Sequence, residues 1–476
     1  ICFIPLLVLR DFYFPFIVPK TVAFRAIVEI IFLAFLALAV VSKEYRPKFN
    51  LASILFGSYI LVVSISSFLA NSFYFSFWSN NERSEGILLL IHLFLFLIVA
   101  SAFLKKLKDW LLIFDASFLS SLIVGLIGLG QIFNEDWTFL GEMGRLGSTI
   151  GNAGYVAGFM VFNIFFGILL LFFRKNEALK IYYLLGIVLQ IIVTLYTYTR
   201  GGIIALFVTL TALALYFAFI HLKDHQLGKP VRTIVIILLV LGTLFGGLVF
   251  ANKDADWVTD SKLLNRIASI SPQSTTAQNR LMTWDSAWQG FKEKPILGYG
   301  YENFYQAFDK NFNPGIYRHE GSVAWFDRAH NIIFDRLVTG GIIGLLLYLA
   351  LLFLPLWYLW KYYLKSEEES QYLVPTILTL LILGYFIQNL FIFEALVTYI
   401  PLFFVLAFLA HFCPDWKRNW AEAKKPYVVA LTIGVILFIP FFFAFNVKPV
   451  KANLDLVKNL KNTTIENYKE AYSGFN

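Results

Sequence analysis

The sequence predicts an all-α polytopic membrane protein of 12–13 transmembrane helices, with one large extracytoplasmic loop that carries short helices. Three observations lead there. Apolar runs recur along the chain, each long enough to cross roughly 30 Å of hydrocarbon as helix. The 476 residues are 58% hydrophobic and only 15% charged, against roughly 25% charged in soluble domains, so a water-facing coat cannot be assembled from them. Basic residues, finally, cluster on alternate connections between the runs.

In chain order the twelve strong runs lie near 21–41, 51–71, 86–104, 110–131, 153–173, 180–199, 202–221, 232–251, 336–360, 372–393, 397–413 and 427–446. Ile1 to Val18 is a weaker thirteenth, interrupted by Arg10 and Asp11; it reads as a first membrane segment that is clipped rather than a removable signal. Counting the strong runs puts six basic connections on one side. They hold Lys43, Arg46 and Lys48; Lys105, Lys106 and Lys108; Arg174, Lys175 and Lys180; Lys223, Lys229 and Arg232; Lys361 and Lys365; and Lys417, Arg418, Lys424 and Lys425. The short opposite loops carry Arg83, Arg145 and Arg200. The positive-inside rule assigns the first set to the cytoplasm. The formal charge of +8 is thus topogenic, and no nucleic-acid partner is expected.

Four segments follow: N-terminal membrane helices over 1–251, an extracytoplasmic loop domain over 252–335, C-terminal membrane helices over 336–446, and the start of an extracytoplasmic segment over 447–476. The last has Leu454, Val457 and Leu460 at helical spacing, and an outer domain is expected to follow Asn476. Cys2 and Cys413 lie far apart and imply neither a disulfide framework nor a metal site. Gly125, Gly128 and Gly130, in an apolar run, read as helix packing rather than ligand binding.

The polar residues beside these runs are the candidates for chemistry. Arg200 stands in Tyr-Thr-Tyr-Thr-Arg-Gly-Gly (196–202), at a very tight turn between two runs. Alone, it reads equally as an interfacial arginine reaching headgroups; Gly201 and Gly202 would let the backbone turn sharply and expose it to phosphate. Arg280 stands in Asn-Arg-Leu-Met-Thr-Trp (279–284), upstream of Pro-Ile-Leu-Gly-Tyr-Gly (295–300), and singly reads as a surface arginine on an amphipathic helix. His330, in Asp-Arg-Ala-His-Asn (327–331), singly reads as a satisfied hydrogen-bonding residue.

Taken together these motifs resemble the O-antigen ligase and O-antigen polymerase superfamily. Three patterns carry the resemblance: Thr-Tyr-Thr-Arg-Gly-Gly at 197–202, Asn-Arg with Trp and Pro-Ile-Leu-Gly-Tyr-Gly in the long loop, and Ala-His-Asn-Ile-Ile (329–333) with Gly-Gly-Ile-Ile-Gly-Leu (340–345) entering the next run. Order, spacing and side agree over about 130–400, and Arg145 in Arg-Leu-Gly-Ser-Thr-Ile-Gly-Asn (145–152) looks like a further substrate-binding feature of the family. The chain departs from the typical ligase in that its twelve strong runs leave the C-terminus outside.

The resemblance implies transfer of a glycan from an undecaprenyl-diphosphate carrier to an acceptor hydroxyl of a lipid, glycan or protein. The setting it implies is the outer face of a bacterial cytoplasmic membrane, among membrane lipids. His330 would be the base, and Arg200 and Arg280 would bind the diphosphate. Inverting, metal-independent catalysis without a cofactor is the expectation. Within the same chemistry a polymerase or a protein O-oligosaccharyltransferase fits the sequence too. From another class, a flippase or transporter would use ionisable groups within the membrane, for which Glu29, His92 and Glu394 are the candidates. Trp284, Trp288 and Trp325 could stack on sugars, but aromatics are also what a loop packed on a membrane needs.

Overall fold

The computed structural model describes residues 1–476 apart from 48, 71–72, 81, 134–144, 222–227, 272, 319–324, 366–371, 417–433, 435, 437 and 465–476. Its helices are α1 (Val18–Val41), α2 (Leu51–Leu69), α3 (Phe73–Trp78), α4 (Ile87–Phe103), α5 (Leu107–Phe133), α6 (Ala153–Phe173), α7 (Glu177–Tyr196), α8 (Arg200–Tyr216) and α9 (Gly228–Ala251). After them come α10 (Asp256–Thr259), α11 (Lys262–Ala268), α12 (Thr275–Glu293), α13 (Phe304–Lys310), α14 (Ile332–Tyr363), α15 (Leu373–Asn389), α16 (Leu396–Leu409) and α17 (Lys448–Thr464).

Among the described residues, eight helices are long and apolar enough to cross a membrane, and three shorter apolar ones accompany them at α4, α15 and α16. Eleven of the twelve strong runs are therefore helices. Nearly half of the twelfth, 427–446, lies outside the described residues, as do Lys48, Lys223, Lys417, Arg418, Lys424 and Lys425. The weaker thirteenth candidate is not a spanning helix: Ile1 to Ile17 forms a single 3-10 turn at Ile4–Leu6 and then irregular turns. Pro5 and Pro15 remove backbone donors within it, and Arg10 and Asp11 are exposed.

The described basic connections meet at one end of the bundle. Phe49 and Asn50 pair antiparallel with Trp416 and Asp415, Lys105 Nζ bonds Glu44 at 2.9 Å, and Tyr362 packs on Phe412. At the other end lie the turns 79–86, 145–152 and 197–199, the helices α10–α13 and the link 390–395.

Packing sets a gradient across the bundle. In α6, 78% of its apolar window is buried, making it the central helix against α5, α7, α15 and α16; in α9 the figure is 6%, which puts that helix at the rim. Helices α15 and α16, at 17 and 14 residues, fall short of the roughly 20 a full crossing needs. Their link is accordingly drawn into the bundle, with Phe393, Glu394 and Ala395 all buried.

Helices α12 and α13 build a small core of their own around Ala287, Tyr299, Phe304, Phe308 and Phe326. It is locked to α14 by glycine. Gly341 breaks α14 with φ +62, and Gly298 has φ +73. Through that break Tyr299 N donates to Val338 O at 2.7 Å and Ile342 N to Pro295 O at 2.8 Å. A Cβ on Gly298 would lie 2.3 Å from Val338 O, and one on Gly341 2.2 Å from Ile296 O. Only glycine permits both the left-handed backbone and this approach.

Gly298→Ala or Gly341→Ala is expected to cost ~2 kcal/mol or more and to lower the thermal unfolding midpoint in detergent. Gly344→Ala, whose added methyl meets nothing closer than 3.9 Å, should leave the midpoint unchanged or slightly raised.

Candidate functional site

The site is built on the turn between α7 and α8. Helix α7 ends at Tyr196, Tyr198 takes φ +50, and α8 begins at Arg200 itself. The sharp turn expected of Gly201-Gly202 is thus made at Tyr198. The two glycines are buried in the first turn of α8, where a Cβ would come within 2.9 Å of Phe391 Cβ and 2.6 Å of Ala157 Cβ. They let α8 close on α6 and on the 390–395 link, and so fix where Arg200 emerges.

Arg200 donates to the carbonyl and hydroxyl of Ser269, at 2.9 and 2.8 Å, and to Ser274 Oγ at 3.4 Å; its Nε is buried without a partner. Arg266, on α11, donates from Nε to Tyr198 O at 3.0 Å. Arg280, on α12, makes no hydrogen bond or ion pair among the described residues. Arg145 donates to Thr197 O at 3.4 Å and Thr199 Oγ1 at 3.2 Å, on the same turn. Among the described residues no carboxylate pairs with Arg200, Arg266 or Arg280. These guanidinium groups act on one another. Burial, and then Arg200 and Arg266, pull Arg280 down to about 10; burial, and then Arg200 and Arg145, lower Arg266.

His330 stands beside Arg280. It has φ +50, an uncommon conformation for a residue with a side chain, and directly precedes Asn331, which caps α14 through Ile333 N and Phe334 N. The imidazole lies edge-on to Phe326 and Phe393, with ring centroids 5.5 and 4.8 Å away. Its Nδ1 lies 3.2 Å from Arg328 O. A carbonyl only accepts, so Nδ1 carries the proton and Nε2 keeps its lone pair. Burial first, and then Arg280, lower the imidazole pKa to about 4, so the ring is neutral at physiological pH. Trp284, one turn beyond Arg280 on α12, donates from Nε1 to Ala329 O at 2.9 Å and stacks on Phe334. It ties the helix bearing one arginine to the loop bearing the histidine. Trp288 and Trp325 are exposed.

Behind His330 the charges reverse. Arg328 is buried and contacts Glu302, Glu85 at 3.3 Å and Asp335 at 3.6 Å. Burial opposes its charge, but these carboxylates outweigh it and hold the guanidinium well above its usual pKa. Arg336 contacts Glu394 and, at 3.4 Å, Asp335, while Tyr59, Tyr301 and Tyr348 face its guanidinium. Glu394 in turn accepts from Tyr348, Tyr385 and Tyr399. Arg83 grips Asp327 at 2.9 and 3.2 Å and lies 4.2 Å over Phe393. A small, shallow cleft opens beside it, lined by Lys20, Arg83, Glu85 and Tyr155 among others.

The structure therefore brings Arg145, Arg200, Arg280 and His330 to one end of the bundle. It adds Arg266, which no motif marked: Leu-Asn-Arg-Ile carries no pattern, and only the fold of α11 onto the Tyr198 carbonyl delivers it. The intramembrane candidates are satisfied by partners. Glu29 meets His92 Nε2 at 2.8 Å and accepts from Asn446 at 2.8 Å, and Glu394 is paired as described.

Residues 185–349 match the family described as O-antigen ligase, the family that the sequence motifs resemble. The matched stretch contains Arg200, Arg266, Arg280 and His330, whereas Arg145, Arg83 and Glu394 fall outside it. No curated protein matches the chain.

The buried acidic network has a pH signature. Burial raises Glu85 from 4.5 to about 8, Arg328 pulling it down and Glu302 pushing it up. Folded Glu85 keeps its proton where unfolded Glu85 has lost it, so this group makes stability fall as pH rises from about 5 to about 8. Glu85→Gln should flatten that decline in the unfolding midpoint measured across the same window. Arg328→Met leaves the carboxylates unpaired and should cost about 3–5 kcal/mol.

Proposed function

We propose that this chain, which matches the O-antigen ligase family over residues 185–349, transfers a glycan from undecaprenyl diphosphate to an acceptor hydroxyl, at the outer face of the cytoplasmic membrane. The observation that carries the reading is the trio Arg200, Arg266 and Arg280, which pair with no carboxylate among the described residues, beside a neutral His330 whose Nδ1 bonds the Arg328 carbonyl and leaves the Nε2 lone pair for a proton. The active face follows from the basic connections, which gather at the opposite end of the bundle.

His330 Nε2 takes the proton of the acceptor hydroxyl as its oxygen attacks the anomeric carbon. The bond from that carbon to the diphosphate oxygen breaks, and the diphosphate leaves with the electron pair. The arginines meet the negative charge that develops there, with their bidentate geometry suited to phosphate oxygens. Arg145 supports the same cluster from the other side of the α7–α8 turn. A single displacement of this kind inverts the anomeric centre. The buried Arg328 network holds the carbonyl that fixes the His330 tautomer, so its role is positioning.

His330→Ala is expected to lower transfer roughly 10²–10⁴-fold while donor affinity stays within a few-fold. The assay uses the purified chain with a lipid-diphosphate glycan and mass analysis of the acceptor product, which also distinguishes a lipid, glycan or protein acceptor. Near-normal turnover in that variant contradicts the base assignment. Arg266→Lys should weaken donor binding as Arg200→Lys and Arg280→Lys do, because a point charge cannot replace a two-pronged contact. A base works deprotonated, so activity is lost as pH falls through its pKa. The acid limb of kcat/KM should lie near about 4 rather than 6.5, and that of kcat higher, since bound diphosphate offsets Arg280.

A further inference from the structure

We propose that the gap between α9 and the rest of the bundle receives the isoprenoid chain of the donor, an inference that rests on the function proposed above. Helix α9 has a mean hydropathy of 2.8, yet only 6% of it is buried. Its less exposed residues, Val231, Val235, Leu239, Gly246 and Val249, recur at helical spacing and mark the face turned to the bundle. Gly242 falls on the same stripe. On that face a Cβ added at Gly242 or Gly246 meets nothing within 4 Å, whereas at Gly202 in neighbouring α8 it would lie 2.6 Å from Ala157.

Helix α9 is held at its two ends instead. Near its start Arg232 donates to Ala218 O at 3.3 Å and covers Phe219; near its finish Val249 packs with Val258 and Ala268. Between those anchors it stands off, leaving a lipid-open apolar gap that reaches at least from Gly246 to Gly242. At 1.5 Å per residue these lie about 8 and 14 Å below the helix end at Ala251.

That end leads through α10 into α11, which delivers Arg266 to the α7–α8 turn, and Ser269 just beyond bonds Arg200. The gap thus opens beneath the arginine cluster. A lipid diphosphate joins its charge to its first apolar carbon through one ester oxygen, so a diphosphate held by these arginines must send its chain straight into the adjacent apolar space. A narrow gap open to the bilayer suits a long flexible isoprenoid, whose far end can continue among the lipids.

The test is Gly246→Phe, with Gly242→Phe as a second variant, in the purified full chain in nanodiscs. Open space around a Cβ at both positions lets a phenyl ring project into the gap. The donors carry one glycan on either a full-length polyprenyl or a short isoprenoid diphosphate. The ratio of kcat/KM for the long donor to that for the short one should fall on the order of tenfold in either variant. An unchanged ratio overturns the assignment. So does an unchanged ratio with an altered oligomeric state, which assigns the glycine face to a second copy of the chain. A photoreactive polyprenyl diphosphate without sugar supplies an independent readout. It should label α9 in the wild-type chain and less so in Gly246→Phe, and labelling elsewhere overturns the proposal whether or not transfer occurs. Failure of the wild-type chain to transfer from any donor, with α9 still labelled, counts against the function above and not against the lipid site.

Discussion

Three like charges held together with no counter-ion among the described residues are the constraint around which this fold is arranged. Arg200, Arg266 and Arg280 come from three different helices, and their mutual repulsion opposes the packing that unites them. What holds them is geometry of neutral partners: the carbonyl and hydroxyl of Ser269, the carbonyl of Tyr198 and the tight start of α8 against α6. Such an arrangement is costly in an isolated protein and favourable around a dianion, the balance a phosphate-binding surface strikes.

The opposite polarity lies a few residues behind. Glu85, Glu302, Asp335 and Glu394 are buried around Arg328 and Arg336, and tyrosines complete the coordination of Glu394. His330 sits at the boundary of the two zones, on a left-handed residue between the anchored Arg328 and the cap of α14. The acidic network thus acts through position. It fixes the Arg328 carbonyl, the carbonyl fixes the tautomer, and burial, with Arg280 in front, keeps the ring neutral.

The spans were legible because lipid imposes length and apolarity on each crossing helix, and the two ends of the bundle because basic residues mark alternate connections. Ile1 to Ile17 escaped that logic, since its apolar composition hides prolines that end regular structure. Motifs mark Arg200, Arg280 and His330 as candidates, and the structure gives the glycines of those motifs packing roles. Gly201-Gly202 serve packing while Tyr198 turns the chain, and Pro-Ile-Leu-Gly-Tyr-Gly is a lock into the break of α14. Arg266 and the Arg328 network were illegible because they depend on contacts between segments some 60–240 residues apart, which no local pattern records.

The most direct measurement is a structure of the chain with a lipid diphosphate bound. Both phosphorus atoms are expected among the guanidinium groups of Arg200, Arg266 and Arg280, with the glycosidic carbon turned toward His330 Nε2. A diphosphate seated instead in the cleft of Lys20 and Arg83, cut off from that imidazole, would contradict this placement.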